Sequence, residues 1–175
     1  MSVSCGNCIF AYVTPHRRLN LKIPISVLVV IYNLNREVLL IERADRPDFW
    51  QSVTGSLDAV DEPLTDTAKR EVFEETGIDV SSLPKDSLVN LQKQIEYTIY
   101  PQWRYRYPPG VERNKEHWFA LQVPTGTPVK LAPREHIAYL WLPVEEAEKK
   151  CFSSSNREAI QHVFARTDLF KAPQS

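Results

Sequence analysis

Three glutamates, Glu71, Glu74 and Glu75, stand just ahead of Gly77 in a stretch that begins at Pro63. Pro63 suits the first turn of a helix and Gly77 suits its end. At about 100° per residue the three carboxylates share an arc of roughly 100°. Leu64 points within about 20° of both Glu71 and Glu75, and Ala68 lies on the same side, so the carboxylates continue the stripe that faces the core. They also crowd the negative end of the helix dipole, where anionic side chains are unfavourable. A cation placed there would relieve the repulsion. Clustered oxygen donors suit a hard divalent ion such as Mg²⁺, which binds through one or two carboxylates plus substrate phosphates and retained waters. A solvated acidic face has the same composition; the inward stripe and the dipole favour the metal reading. Arg70 precedes Glu74 by four residues and either steers a carboxylate or forms a weak surface ion pair.

The elements that must position this helix read as mixed α and β. Ile25 to Tyr32 is rich in Val and Ile, Glu37 to Arg43 is a second apolar run, and Asn33 to Asn35 is a turn, which together predict a hairpin. Phe49 to Leu57 is a shorter strand, followed by an acidic loop, Asp58 to Glu62. Further strands are expected over Leu88 to Tyr100, Trp118 to Val123 and Ala138 to Leu142, separated by Pro-rich turns. Two helices close the chain. Ser155 with Glu158 reads as a capping box opening an amphipathic stretch with Ile160, Val163 and Phe164 in register.

The whole chain of 175 residues, with 43% hydrophobic content, is the size of one domain that builds its core without staples. With 21 basic and 22 acidic residues, it is not built to bind nucleic acid through bulk charge. The run Trp103 to Tyr107 interleaves Arg with aromatics and could stack single-stranded bases, but one short patch on a near-neutral chain contributes little salt-dependent affinity. No apolar stretch approaches the roughly 20 residues of a membrane-spanning helix, and the N-terminus lacks the basic region of a secretory signal. A cytoplasmic protein is expected, with no membrane and no nucleic-acid partner. Cys5 and Cys8 form a single C-x-x-C with no second ligand pair, and Cys151 is distant. His16, His117, His136 and His162 show no ligand spacing, although His136 could support its neighbour Glu135.

The array Gly55-x6-Glu62-x7-Arg70-Glu71-Val72-x-Glu74-Glu75-x-Gly77-Ile78 resembles the Nudix box, G-x5-E-x7-R-E-U-x-E-E-x-G-U with U aliphatic. It departs only by one extra residue between Gly55 and Glu62. The likeness spans roughly residues 21 to 166. It includes Lys22 to Tyr32, Arg43 to Gly55, Arg104 to Asn114, Glu116-x-Trp118-Phe119, Glu135 to Leu142 and Ser155-Asn-Arg157. Residues 1–20 fall outside it and read as a leader, residues 21–170 as the domain, and 171–175 as a tail.

The resemblance implies an α+β fold, an α/β/α sandwich with a mixed sheet. It also implies Mg²⁺-dependent hydrolysis, with Mn²⁺ able to substitute. Glu71 and Glu75 would hold the ion, Glu74 would add a ligand or order water, and Glu135 would return from far along the chain as ligand or general base. The subfamily it most resembles releases pyrophosphate from 7,8-dihydroneopterin 3′-triphosphate in folate synthesis, with side activity on nucleoside triphosphates such as dATP. By the same likeness, Lys22, Arg43 and the backbone at Thr54 contact substrate. Tyr97, Thr98, Ile99, Tyr100 and Ser153 line the ring pocket. Basic side chains suit phosphates, and an aromatic wall with backbone hydrogen bonds suits a flat ring. Two other readings share these residues. One is a general nucleoside triphosphate pyrophosphatase. The other is a catalytically silent nucleotide- or RNA-binding module, suggested by the lengthened loop and the Trp103 to Tyr107 run. Oligomeric state is not legible in the sequence.

Overall fold

The computed structural model describes residues 21–170. The expected leader with Cys5 and Cys8, His16, and the tail 171–175 lie outside the described residues. Among the described residues, seven strands form one mixed sheet: β1 (Ile25–Asn33), β2 (Glu37–Arg43), β3 (Trp50–Gln51), β4 (Val53–Ser56), β5 (Leu88–Thr98), β6 (Arg113–Val123) and β7 (His136–Pro143). The helices are α1 (Leu64–Thr76), α2 (Val144–Lys150) and α3 (Ser154–Ala165).

The central strand β1 pairs in parallel with β6 along its whole length and antiparallel with β4. It is buried on both faces, which explains its unbroken apolar run. Val27, Val29 and Ile31 pack toward Ala68 and Val72 of α1, whereas Leu28 and Val30 pack with Trp118 toward Ala159, Ile160 and Val163 of α3. The expected sandwich is therefore present, with a helix layer on each side of the sheet.

Three local expectations change. The β1–β2 hairpin forms at its turn, where Asn33 Oδ1 accepts from the backbone N–H groups of Asn35 and Glu37, but its pairing is confined to Tyr32 with Val38. Beyond that pair the strands diverge to β4 and β7. The strand expected over Phe49 to Leu57 is interrupted at Ser52, whose N–H donates to Asn156 Oδ1 at 2.7 Å, linking the sheet to α3. The capping box at Ser155 is corrected: Ser153 is the N-cap. Its backbone is extended and its hydroxyl oxygen accepts from the Asn156 N–H at 3.2 Å, leaving Ser155 inside the first turn.

Helix α1 begins after Pro63 and stops at Gly77, whose φ of +70° makes the left-handed cap and whose N–H donates to the Phe73 carbonyl at 2.8 Å. Lys130 N–H then donates to the carbonyl of Thr76 at 2.8 Å. The C-terminal turn of α1, which carries the glutamates, is thereby pinned from outside the helix.

Candidate active site

The end of the sheet where β1 and β6 begin, together with β4, β5, the last turns of α1 and the start of α3, encloses a cleft of about 820 Å³. Helix α1 delivers Glu71 and Glu75 into it, while Glu74 turns outward and Arg70 stays behind the wall. The three-glutamate face is thus split: two carboxylates point in and one is at the rim.

Glu75 is 5% exposed. Thr54 N–H donates to its Oε2 at 3.2 Å, and His136 Nε2 lies 3.1 Å from its Oε1. Burial raises the Glu75 pKa against the pull of His136 and Thr54. For Glu71, burial and then the Glu75 charge push the pKa up to about 7, opposed by Arg70. Gly55 makes the approach of Glu71 possible, since a Cβ at that position would fall 1.7 Å from the Glu71 carboxyl carbon.

Arg70 organises the back of the site. Its Nη1 donates to Glu71 at 2.8 Å and Glu74 at 3.3 Å, its Nε to Glu62 at 3.1 Å, and its Nη2 to the Ser56 carbonyl at 2.9 Å. The extra residue ahead of Glu62 is absorbed in the exposed turn 58–61. Glu62 still accepts from Asp58 N–H at 2.7 Å and meets Arg70.

The remote Glu135 joins this cluster. Ligand atoms of Glu75, Glu135 and His136 all lie within 4.8 Å of one another, with Glu135 the exposed member. The turn that does this is held by Ala44 N–H donating to the Glu135 carbonyl at 2.8 Å. The two carboxylates of this group repel each other, Glu71 adds its charge to that of Glu75, and a donor set of carboxylate oxygens with one imidazole fits a divalent cation. Lys22 faces the same cluster. Burial and Arg106 lower its pKa, and Glu71, Glu135 and Glu75 oppose that shift.

The remaining expected residues, Arg43, Thr54, Tyr97, Thr98, Ile99, Tyr100 and Ser153, all line the cleft. Arg43 is held by Asp45 through contacts of 2.8 and 2.6 Å and stacks on Trp103 and Phe49 at 5.3 and 5.7 Å. Phe49 stacks on Phe152 at 4.1 Å, and Tyr100 meets Trp103 edge-on at 5.4 Å. A bulge between Asn90 and Gln94 resets β5 so that Ile95 and Tyr97 face the cleft. The run Trp103 to Tyr107 is mostly one 3₁₀ segment whose Trp103, Tyr105, Arg106 and Tyr107 wall the cleft, so it is part of this pocket.

A NUDIX domain model matches residues 22–163. The chain belongs to the NUDIX family. Among NUDIX relatives, it is 44% identical over 141 residues to the dihydroneopterin triphosphate diphosphatase of Escherichia coli K12, covering 80% of this chain and 91% of that protein. It is 40% identical over 137 residues to the protein of the same name from Haemophilus influenzae, covering 78% and 84%. The solved structure of the E. coli dihydroneopterin triphosphate pyrophosphohydrolase superposes with a TM-score of 0.73 at 44% identity, over 81% of this chain and 94% of that one. Among the described residues, no helix is long and apolar enough to cross a membrane.

For two cleft residues the sequence offered less than the structure shows: His136 only as a support for its neighbour Glu135, and Glu116 with no role. His136 meets Glu75 across 61 positions of sequence, so no local spacing announces it. Glu116 is a carboxylate at an inward position of β6, two residues before the buried Trp118. The signal was present there: a charged residue in register with an apolar face.

Proposed function

We propose that this NUDIX protein hydrolyses 7,8-dihydroneopterin 3′-triphosphate to the monophosphate and pyrophosphate, with Mg²⁺ held by Glu71, Glu75 and Glu135. The observation that carries this reading is one cleft that joins a carboxylate cluster to an aromatic-walled slot, with cationic side chains between them. The 44% identity to the E. coli diphosphatase supports it.

Bound Mg²⁺, for which Mn²⁺ substitutes, would neutralise phosphate charge and favour ionisation of water. The protein's own residues do the positioning. Lys22 and Arg43 take phosphate oxygens, Lys22 as a point charge and Arg43 as a two-pronged donor. Thr54 N–H and His136 fix Glu75, and Arg70 fixes Glu71 and Glu74, so the carboxylates need little rearrangement to serve. Glu74 orders water at the rim or adds a ligand. Glu135, the exposed member, orients the attacking water and takes its proton on a carboxylate oxygen, or completes the oxygen set. Water oxygen bonds to phosphorus, the bridge between the α- and β-phosphates breaks, and pyrophosphate leaves. Tyr97, Thr98, Ile99, Tyr100 and Ser153 bound the ring. The Ser153 hydroxyl already caps α3, so its contribution there is positional. We assign the reaction to the cytoplasm, with a small-molecule substrate and no nucleic-acid partner.

The test is initial pyrophosphate release from dihydroneopterin triphosphate and from dATP, each with Mg²⁺ and with chelator. Preference for the pterin that is lost with chelator is the expected result. Equal or faster turnover of dATP would transfer the function to general nucleotide pyrophosphatase activity, and turnover of neither would leave a binding module.

A further inference from the structure

The hydrolysis uses the carboxylates delivered by α1 and the β7 turn. A separate carboxylate lines the same cleft on the α3 side of the sheet. Glu116 of β6 is in register with Ser26 of β1 and shares the face of Trp118, opposite to the face covered by α1. It is 3% exposed. The Trp118 indole N–H donates to its Oε1 at 3.1 Å, and the Ser155 hydroxyl also bonds to the carboxylate.

A carboxylate offers about four acceptor positions, and these two donors leave it under-satisfied for so buried a charge. Burial raises its pKa to about 7 despite both hydrogen bonds. An amide would accept the Trp118 N–H equally well without burying a charge. The group therefore calls for a ligand that brings donors. Ile95 and Tyr97 wall the cleft on the strand beside it, and Tyr97 hydrogen-bonds to Asn114 and Ser26, making a polar floor beneath an apolar side.

We propose that Glu116 reads the heterocycle, accepting paired hydrogen bonds from the 2-amino and N3–H groups of the pterin. This rests on the pterin assignment above. Those two N–H bonds point the same way, as do the lone pairs of the two carboxylate oxygens, so the match is the two-point geometry that gives Arg–carboxylate pairs their specificity. A negative group at this end also repels the triphosphate, which orients substrate with its phosphates toward Lys22 and Arg43. Loss of such a charge-assisted pair costs about 10- to 100-fold in affinity.

The test uses unphosphorylated 7,8-dihydroneopterin and its 2-oxo counterpart, a dihydrolumazine, which presents an acceptor where the pterin presents its amino group. At pH 8, calorimetry on the wild-type protein is expected to give at least about tenfold tighter binding of dihydroneopterin. In Glu116→Gln, the ratio is expected to collapse to within about threefold. The indole N–H resonance of Trp118, read in the unmutated protein, is expected to shift with dihydroneopterin and much less with the 2-oxo compound. This keeps the proposal testable if the variant does not fold. Equal wild-type affinity for the two rings, discrimination retained in Glu116→Gln, or an indole signal indifferent to both ligands would overturn it. Turnover of dihydroneopterin triphosphate alongside any of those results would sink the role of Glu116 and leave the pterin function standing. Absence of both turnover and ring binding would remove the function itself.

Discussion

Under the proposed function, Glu75 is the residue at which removing one charge would separate metal binding from folding. It is held by Thr54 N–H and His136, and its carboxylate is nearly inaccessible except from the cleft. Glu75→Gln keeps the shape, so the expected outcome is a folded protein whose metal-dependent turnover falls by at least about tenfold, a floor set by what even outer partners of metal ligands contribute. Mn²⁺ titration followed by paramagnetic relaxation would check it, and unchanged ion affinity would remove Glu75 from the metal site. Gly55 tests the same site from the opposing strand. A methyl at Gly55 occupies the position of the Glu71 carboxylate, so Gly55→Ala should expel Glu71 and lower kcat strongly with a smaller change in melting temperature. Near-normal kcat would show that Glu71 is dispensable.

At the scale of elements, the decisive feature is how α1 and α3 are stopped and started. Ser153, two residues ahead of the expected cap, carries the N-terminus of α3. Ser153→Ala should therefore lower unfolding free energy by about 1 kcal/mol, whereas Glu158→Ala should change it by less than about 0.5 kcal/mol. Denaturant midpoints measure both, and the reverse order would restore the capping box at Ser155. The displacement has a local cause. Sequence rules for caps recognise residue types, and Ser153, Ser154 and Ser155 are the same type; the choice among them was made by the extended chain leaving Cys151 and by Asn156, whose side chain ties back to Ser52. Helix α1 was legible from end to end because its stripe of Leu64, Ala68 and Val72 and its terminal Gly77 are local signals. The acidic face was partly legible: helical spacing sets Glu71 and Glu75 on the stripe of Leu64 with Glu74 to one side, but only strand β4 closing over the stripe fixes which carboxylates enter the cleft.

For the whole molecule, burying carboxylates makes stability depend on pH in an unusual direction. Glu71 and Glu116 both have pKa values raised to about 7, chiefly by burial. The folded state thus favours their protonated forms more than the unfolded state does, and their contribution is complete below the unfolded value near 4.5 and is lost as pH rises through about 7. In chelator, unfolding free energy should fall between pH 5 and 8 by up to about 3 kcal/mol per group. Mg²⁺ should recover the Glu71 part, because a bound cation favours the ionised form, and leave the Glu116 part. A flat pH profile in chelator would contradict the burial-driven shifts.

The sequence by itself determined the mixed α and β elements, the helix that bears the glutamates and the spacing that marks the family, because these depend on periodicity and spacing within short windows; the sandwich layers, Glu135 and the substrate-contacting residues came with the family resemblance. Tertiary structure alone decided that His136 meets Glu75, that the one-residue insertion leaves Glu62 on Arg70, and that Glu116 faces the cleft rather than solvent. Those juxtapositions arise from strand register and from a turn tied to a distant strand, which join residues far apart in the chain and leave no local pattern to read.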